Sequence, residues 1–241
     1  LGGRINNHQT YGNFLTYSLN PSYNFNFKES ENLKIFATLN SAFIAPSLYQ
    51  LYDSYSGNEN LLPEESISTE IGIETINKKR NLSIVFFERK ENPKIIYEYD
   101  FSTFTGGYIN TPSDLIFRGI EIDYSKVFFD KMDFNFNYTF NELKKGTLQR
   151  LPKHSFNESI NYNLKRNRQL SFIYRYRGKR EAMGGSEILN SYGLMDTRFS
   201  FTKYKINFNF WVNNVFNKEY VEILNYSSKG RNFRFGITYE F

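Results

Sequence analysis

The segment NFRFGITYEF at residues 232–241 alternates apolar and polar side chains along its whole length. Its apolar positions are Phe233, Phe235, Ile237, Tyr239 and Phe241. Because successive side chains of a β-strand point to opposite faces, this alternation predicts a strand with one apolar face and one polar face. The segment decides the fold class because the same pattern recurs along most of the chain.

Similar alternation predicts about eleven strands, each long enough to cross an outer membrane. The other predicted strands are 14–27, 32–41, 66–76, 81–91, 115–126, 132–140, 154–164, 169–177, 192–202 and 206–213. No segment with helical periodicity competes with them. The sequence therefore predicts an all-β protein.

The connections between these strands fall into two classes that alternate along the chain. The short connections are 28–31, 77–80, 127–131, 165–168 and 203–205, and the long ones are 42–65, 92–114, 141–153, 178–191 and 214–231. This order places all short turns at one end of the sheet and all long loops at the other. Outer-membrane barrels have this asymmetry, whereas a soluble β-sandwich, the alternative fold, has no reason to sort its loops by length.

The composition narrows the possible functions. Of 241 residues 19% are aromatic, with 25 Phe and 19 Tyr, and no run of about 18 apolar residues could form a transmembrane helix. The net charge is +5, but the lysines and arginines are interspersed with 25 acidic residues and form no basic patch in the sequence. We therefore expect no nucleic-acid partner. The chain has no Cys, and His8 and His154 lie far apart, so the sequence predicts no metal site and no cofactor.

The predicted fold is a transmembrane antiparallel up-and-down β-barrel with its apolar face toward lipid and its polar face toward a wet lumen. An open edge in lipid would leave peptide groups without partners, so eleven strands are expected to form only part of a larger barrel. The sequence shows no nucleophile elbow and no diagnostic carboxylate pair, which leaves an outer-membrane hydrolase as a poor alternative.

Four motifs resemble those of the TonB-dependent outer-membrane receptors. They are FIAPSLYQLYDSYSGNENLLPE at 43–64, RGIEIDY at 118–124, NNVFNKEY at 213–220 and KGRNFRFGITYEF at 229–241, and YSLNPSYNF at 17–25 fits a preceding strand. The order and spacing of the motifs cover essentially the whole chain. Within this family the likeness is greatest to the vitamin B12 receptor type.

The resemblance implies that residues 1–241 are the C-terminal portion of a 22-stranded barrel. Such a barrel closes by pairing its last strand with its first, around an N-terminal plug that contacts TonB. The implied partners are the N-terminal part of the same receptor, TonB through that plug, outer-membrane lipids, the barrel-assembly machinery and, by analogy, a surface lipoprotein lid. The residues Arg234, Gly236, Tyr239 and Phe241 match the terminal signature read by the assembly machinery.

Two long connections carry the candidate ligand-binding residues. The candidates are Tyr49, Tyr52, Tyr55, Asn58 and Asn60 in the first, and Tyr97 and Tyr99 in the second, where Phe101, Phe104 and Tyr108 lie close by. Tyrosine and asparagine can stack on and hydrogen-bond a bulky ligand; the alternative is that these residues form self-packed extracellular loops.

The substrate is open between a corrinoid, which is favoured, and a ferric siderophore. Haem receptors of this family place a histidine between the two loop boxes, and the interval from Pro46 to Asn58 contains none. Glycan importers differ at the C-terminal boxes. A structural or interaction half-barrel within a surface complex is the alternative of another class.

Charged residues on the predicted lumen face have two possible roles, as partners of plug residues or as solvated wall. They are Glu70, Glu74, Glu121, Asp123, Arg175 and Arg177.

Overall fold

The computed structural model describes residues 1–28, 31–100, 102–145, 151–165, 167–182 and 187–241. The strands are β1 (Gly2–His8), β2 (Gly12–Leu19), β3 (Ser22–Lys28), β4 (Glu31–Ile44), β5 (Glu64–Asn77), β6 (Arg80–Glu91), β7 (Ile95–Asp100), β8 (Thr105–Asn110), β9 (Leu115–Phe128), β10 (Met132–Lys145), β11 (His154–Lys165), β12 (Arg168–Arg177), β13 (Arg180–Glu181), β14 (Ile188–Leu189), β15 (Tyr192–Lys203), β16 (Ile206–Asn213) and β17 (Asn232–Tyr239). One short helix, α1, spans Leu48–Tyr52.

The main sheet is antiparallel and follows chain order, as an up-and-down barrel requires. Its order is β1-β2-β4-β5-β6-β9-β10-β11-β12-β15-β16-β17, with β3 paired to β4. Ten of the eleven predicted strands are present, the eleventh is divided into β2 and β3, and β1 precedes them at one end of the sheet. The predicted all-β antiparallel architecture is confirmed.

The prediction of one uninterrupted strand over 14–27 is wrong. The chain forms β2 and β3 instead, separated by Asn20 and Pro21. The register is continuous across the break, since Leu19 pairs with Leu39 and Ser22 with Phe36. Proline has no N–H to donate to the ladder, so the pairing is interrupted there. The carbonyl oxygen of Pro21 still accepts from the Ala37 N–H at 3.0 Å.

The long connections contain structure that periodicity did not reveal. Helix α1 lies in the connection 42–65, the hairpin β7–β8 in 92–114, and the short pair β13–β14 in 178–191. Strand β10 also runs to Lys145, beyond the predicted end at Phe140. Within the described residues, no helix has the length and hydropathy needed to cross a membrane.

Strand register separates a polar face from an apolar face. On the polar face Asp123 pairs with Asn137, while on the apolar face Phe86 pairs with both Ile71 and Ile120. Phe86 and Ile71 stay exposed. A sheet that faces hydrocarbon leaves such side chains outside any protein core, as observed here. The six charged residues predicted to face the lumen all lie on the polar face.

The polar face is interrupted by aromatic rings that lie over glycines. Phe36 occupies the space that a side chain at Gly72 would need, and Phe87 does the same at Gly119. An aromatic side chain laid across a strand glycine restores packing that the glycine lacks. These glycines therefore make room for apolar groups on a face that simple alternation predicts to be polar.

Candidate functional site

Helix α1 presents the first candidate tyrosines at the long-loop end of the sheet. Ser47 caps the helix: its Oγ accepts from the Gln50 N–H at 3.2 Å, and Gln50 Oε1 accepts from the Ser47 N–H at 2.8 Å. This reciprocal capping box stabilises a helix of only five residues. Tyr49 and Tyr52 project from it with both side chains exposed.

Asp53 organises the turn that follows the helix. Its carboxylate accepts from the Ser56 hydroxyl at 2.6 Å and from the N–H groups of Ser56 and Tyr55 at 3.0 and 3.3 Å. These hydrogen bonds, led by the one from the Ser56 hydroxyl, hold the pKa of Asp53 below its usual range. The carboxylate stabilises this turn fully above the usual aspartate pKa of about 3.9, and that contribution is lost only as the pH falls below it.

The hairpin β7–β8 is attached to this turn through the backbone of Tyr108. The Tyr108 N–H donates to the Ser56 carbonyl at 3.0 Å, and Asn58 Nδ2 donates to the Tyr108 carbonyl at 2.9 Å. Asn58 Oδ1 accepts in turn from the Asn60 N–H at 3.0 Å. The Asn58 amide thus joins the two loops through its nitrogen and fixes its own loop through its oxygen.

A second clamp joins the same loops one step further along. Asn110 Oδ1 accepts from the Leu62 N–H at 2.8 Å, and Asn110 Nδ2 donates to the Leu62 carbonyl at 2.9 Å. Leu61, next to this clamp, is only 1% exposed. Burial of this leucine and the paired amide bonds fix the two loops as one unit.

The tyrosine rings of the two loops meet above this unit. Tyr108 makes edge contacts with Tyr49 and Tyr97, with ring centroids 6.1 and 5.4 Å apart. Tyr52 lies close enough to Tyr11, in the turn between β1 and β2, to reinforce electrostatically the pKa rise that burial causes at Tyr11. We call Tyr11, Tyr49, Tyr52, Tyr97 and Tyr108 the tyrosine platform.

The structure sorts the predicted ligand residues into groups. Tyr49, Tyr52 and Tyr97 are brought together, and Tyr99 lies on the same strand two residues beyond Tyr97. Tyr55 is 94% exposed on the Asp53 turn. Asn58 holds the loops together and is therefore a positioning residue, whereas the Asn60 side chain is exposed. Phe101 lies outside the described residues.

Sequence reasoning missed Tyr11 and Asn110. No local motif marks either residue, because Asn110 acts through hydrogen bonds to a distant loop and Tyr11 is linked only electrostatically to Tyr52. The alternation in IIYEYD at 95–100, followed by Gly106 and Gly107, was a usable signal for the hairpin that carries Tyr97 and Tyr108 of the platform.

The two loops carry acidic residues but no basic ones. Residues 42–65 contain Asp53, Glu59, Glu64 and Glu65 but neither lysine nor arginine, and residues 95–110 contain Glu98 and Asp100, again without a cation. The nearest cation in sequence is Lys94, whose Nζ lies 2.6 Å from a Glu91 carboxylate oxygen. The platform is therefore aromatic and mildly acidic.

Beside these loops, the polar face holds a cleft of about 440 Å³ between β5, β6 and β9. Glu70, Glu121 and Phe87 line it, together with an ion-pair network around buried Glu91. Arg89 and Lys94 approach the two Glu91 oxygens at 2.8 and 2.6 Å. These pairs stabilise the junction between β6 and the hairpin.

The motif NNVFNKEY at 213–220 closes the last long loop. Asn214 is 4% exposed and has a positive φ of 51°, which asparagine tolerates better than most residues. Its Oδ1 accepts from the Lys218 N–H at 2.8 Å, and its N–H donates to Asp196 Oδ1 at 2.8 Å. Asn217 Oδ1 accepts from the Arg231 N–H at 2.8 Å. The motif thus ties the start of 214–231 to the barrel wall at Asp196 and joins the end of the loop to its start.

The predicted terminal signature lies on β17 and just beyond it. Arg234 stacks over the Trp211 ring at 4.2 Å, and a side chain at Gly236 would meet the same ring at 3.1 Å. Gly236 therefore gives the tryptophan room on the polar face. Tyr239 and Phe241 are exposed and make an edge contact at 5.2 Å.

A sequence model for the β-barrel of TonB dependent receptor-like proteins matches residues 1–215. The chain belongs to the TonB-dependent receptor β-barrel family. As a member, it is an outer-membrane protein of a Gram-negative bacterium.

Two relatives of this receptor barrel are vitamin B12 transporters called BtuB. The one from Vibrio cholerae is 26% identical over 260 residues, which cover 99% of this chain and 39% of the relative. The one from Photobacterium profundum is 27% identical over 250 residues, covering 99% of this chain and 40% of the relative. The receptor barrel described here thus spans about two-fifths of the length of these relatives.

Solved receptors share the fold of this barrel. The ferric enterobactin receptor PfeA, with BCV-L6 bound, superposes with a TM-score of 0.80 at 18% identity, covering 99% of this chain and 42% of that one. The siderophore receptor PirA from Acinetobacter baumannii superposes with a TM-score of 0.77 at 18% identity, covering 98% and 42%. At these identities the likeness establishes the fold alone.

Proposed function

We propose that the receptor containing this barrel captures a corrinoid at its long loops and imports it with energy from TonB. The tyrosine platform is the observation that carries this proposal. It offers flat aromatic rings with polar hydroxyl edges, which suit a macrocycle bordered by amides. The vitamin B12 transporters at 26–27% identity support the same substrate class.

The charge of the platform loops favours a corrinoid over a ferric tricatecholate. A ferric tricatecholate is a compact anion that needs lysine or arginine partners, and 42–65 and 95–110 supply neither. Corrinoid side amides require only neutral donors and acceptors. A ferric siderophore stays the alternative ligand class, because the solved neighbours include siderophore receptors.

Energy coupling and further partners belong to the same proposal. The plug, which lies outside this chain, would contact TonB and meet the polar face of the barrel. Glu70 and Glu121 on the cleft wall are candidates for that contact. A surface lipoprotein would cover the long-loop end, where the platform lies.

The platform is tested by replacing Tyr52 and Tyr55 together with alanine in the full-length receptor. Both side chains are exposed and could contact ligand. We expect cyanocobalamin binding in detergent to weaken by about 1–3 kcal/mol, as for ordinary aromatic anchors. The folded barrel should form normally, because the loop lies outside the strands.

Tyr226→Ala is the matched control, since Tyr226 is also an exposed tyrosine of a long loop but lies on 214–231. The control should bind cyanocobalamin like the unchanged receptor. Undiminished binding by the Tyr52/Tyr55 variant would remove both residues from the site. An equal loss in the control would show a general effect of loop tyrosines.

The orientation of the barrel gives a separate prediction. A cysteine at Ser54 should react with a membrane-impermeant maleimide on intact cells, whereas a cysteine at Asn167, in a short turn, should react only after lysis. Outer-membrane barrels keep short turns in the periplasm and long loops outside. Reaction at position 167 but not 54 on intact cells would reverse the orientation.

A further inference from the structure

The apolar face of β11 carries an acidic side chain where hydrocarbon is expected. The register places Glu158 directly opposite Phe136 on β10 and opposite Tyr174 on β12. Phe156 and Ile160 flank it on the same face of its own strand. A carboxyl group thus lies among apolar and aromatic side chains on the outer wall of the barrel.

Glu158 lies at the depth of the hydrocarbon. Counted from the short-turn ends of β6, β10 and β11, it lies further along its strand than Phe86 and less far than Phe140, which share its face. The acidic residues Glu88 and Glu142 of that face lie further from the short turns, toward the long loops. A carboxyl group at the depth of Glu158 is costly unless it has a partner.

No partner for this carboxyl group is found in the part of the chain that the structure describes. Among those residues Glu158 forms no ion pair and no hydrogen bond. Strand β11 is paired on both sides, and Glu158 lies on the face opposite to the lumen. Neither a plug in the lumen nor further strands at the edges of the sheet could reach it. A partner would therefore approach from the membrane.

Tyrosine hydroxyls lie on the same stretch of wall. One row of the register runs from β6 to β12 through Ile84, Ile122, Tyr138, Phe156 and Tyr176. The apolar face thus changes from aliphatic to aromatic at β10. The Phe156 ring centroid lies 5.7 Å from that of Tyr174 and 5.2 Å from that of Tyr176. The Tyr138 hydroxyl lies within hydrogen-bond distance of His154 Nδ1, at 2.9 Å.

Tyr174 lies opposite Glu158 in the register but does not bond to it. Its ring leans the other way, over Gly193 on β15, where it occupies the space that a side chain would need. Within the described residues the Tyr174 hydroxyl makes no hydrogen bond. The Glu158 carboxyl and the Tyr174 hydroxyl therefore lie on opposite sides of β12, at similar distances from their short turns. One is an unused acceptor and the other an unused donor.

We infer that the outer face of β11, β12 and β15 is a dimer interface between two copies of this receptor. Each Glu158 would accept a hydrogen bond from the Tyr174 hydroxyl of the other copy, which a carboxyl oxygen can do in either protonation state. A two-fold axis along the membrane normal that passes over β12 keeps both groups at their depth and forms the bond twice.

The self-complementary pair favours a second copy over another membrane protein. A lysine or arginine on a different partner would itself be costly at this depth before the two proteins met, whereas a tyrosine hydroxyl carries no charge. The donor and the acceptor of the inferred contact are both present on this chain. The dimer would form independently of the ligand that the receptor imports.

The test is sedimentation equilibrium of the full-length receptor in density-matched micelles of a neutral detergent, over a range of protein-to-detergent ratios. The interface variants are Glu158→Leu and Tyr174→Phe, singly and together. The matched controls are Glu88→Leu, an acidic residue of the same face beside Arg118, and Tyr17→Phe, an exposed tyrosine of the same face on β2. Heat-modifiable gel mobility checks that every barrel is folded.

We expect the unchanged receptor and both controls to dimerise with the same dissociation constant. Glu158→Leu should raise that constant about tenfold or more, because it removes both symmetry-related hydrogen bonds. Tyr174→Phe should raise it by a similar factor. The double variant should be no weaker than Glu158→Leu alone, since both side chains serve the same bonds.

A receptor that stays monomeric at every ratio would overturn the proposal, as would a dimer that Glu158→Leu leaves unchanged. Additive effects of Glu158→Leu and Tyr174→Phe would contradict a shared hydrogen bond. Equal weakening by Glu88→Leu would show a general effect of acidic residues on the outer face and would also overturn it. If Glu158→Leu does not fold, the comparison of Tyr174→Phe with Tyr17→Phe decides alone.

Discussion

Phe86→Arg should lower the free energy of unfolding of the receptor in phospholipid by about 2–4 kcal/mol. Phe86 lies midway along β6 on the apolar face, paired on both sides with isoleucines at similar depth. An arginine at that depth is placed in hydrocarbon, where a charge finds neither water nor a counterion. The measurement is the fraction of folded barrel across a urea series in vesicles.

Two further arginine variants test whether the cost depends on the face and on the depth of the substituted residue. Ser83→Arg, on the polar face of the same strand between Glu74 and Asp123, should cost much less because the new charge faces carboxylates and water. Phe134→Arg should have an intermediate cost, since Phe134 is the third residue of β10 and lies close to a short turn. Equal costs at Phe86 and Ser83 would contradict the assignment of the two faces.

Leu61→Asp should abolish cyanocobalamin binding while leaving the barrel assembled. The Leu61 side chain is buried next to the Asn110 clamp, and a carboxylate there would lose its hydration without a partner. The cost of several kcal/mol exceeds what the loop hydrogen bonds can offset, so the platform would come apart. Limited proteolysis of the intact receptor should then show new cleavage within 42–65.

Leu62→Asp is the control because Leu62 is the next residue and its side chain is exposed. The same charge is therefore added at nearly the same place. It should retain binding and resist proteolysis. Loss of binding in both variants would mean that negative charge near the platform, and not its disassembly, is responsible. Retained binding in the Leu61 variant would show that the two loops need not be joined.

The strands were predictable because lipid on one side and water on the other impose a strict alternation on the residues. The strand at 206–213 has the predicted bounds. The pattern failed at Pro21, where a missing donor breaks the ladder without changing the alternation. It also failed at Phe36 and Phe87, whose rings lie over glycines of neighbouring strands.

The candidate site was predictable only in part, because residue type does not reveal contacts between loops. The tyrosines of the two long loops were predicted to contact ligand, and the structure brings Tyr49 and Tyr97 together through Tyr108. Asn58 was grouped with ligand residues, yet its amide is occupied by Tyr108 and Asn60.

The most direct test of the account is equilibrium binding of cyanocobalamin and of ferric enterobactin to the full-length receptor in detergent. A platform of tyrosines with acidic neighbours should bind cyanocobalamin saturably and the anionic ferric complex at least about a hundredfold more weakly, because like charges at an interface cost several kcal/mol. Preferential binding of ferric enterobactin would contradict the corrinoid assignment.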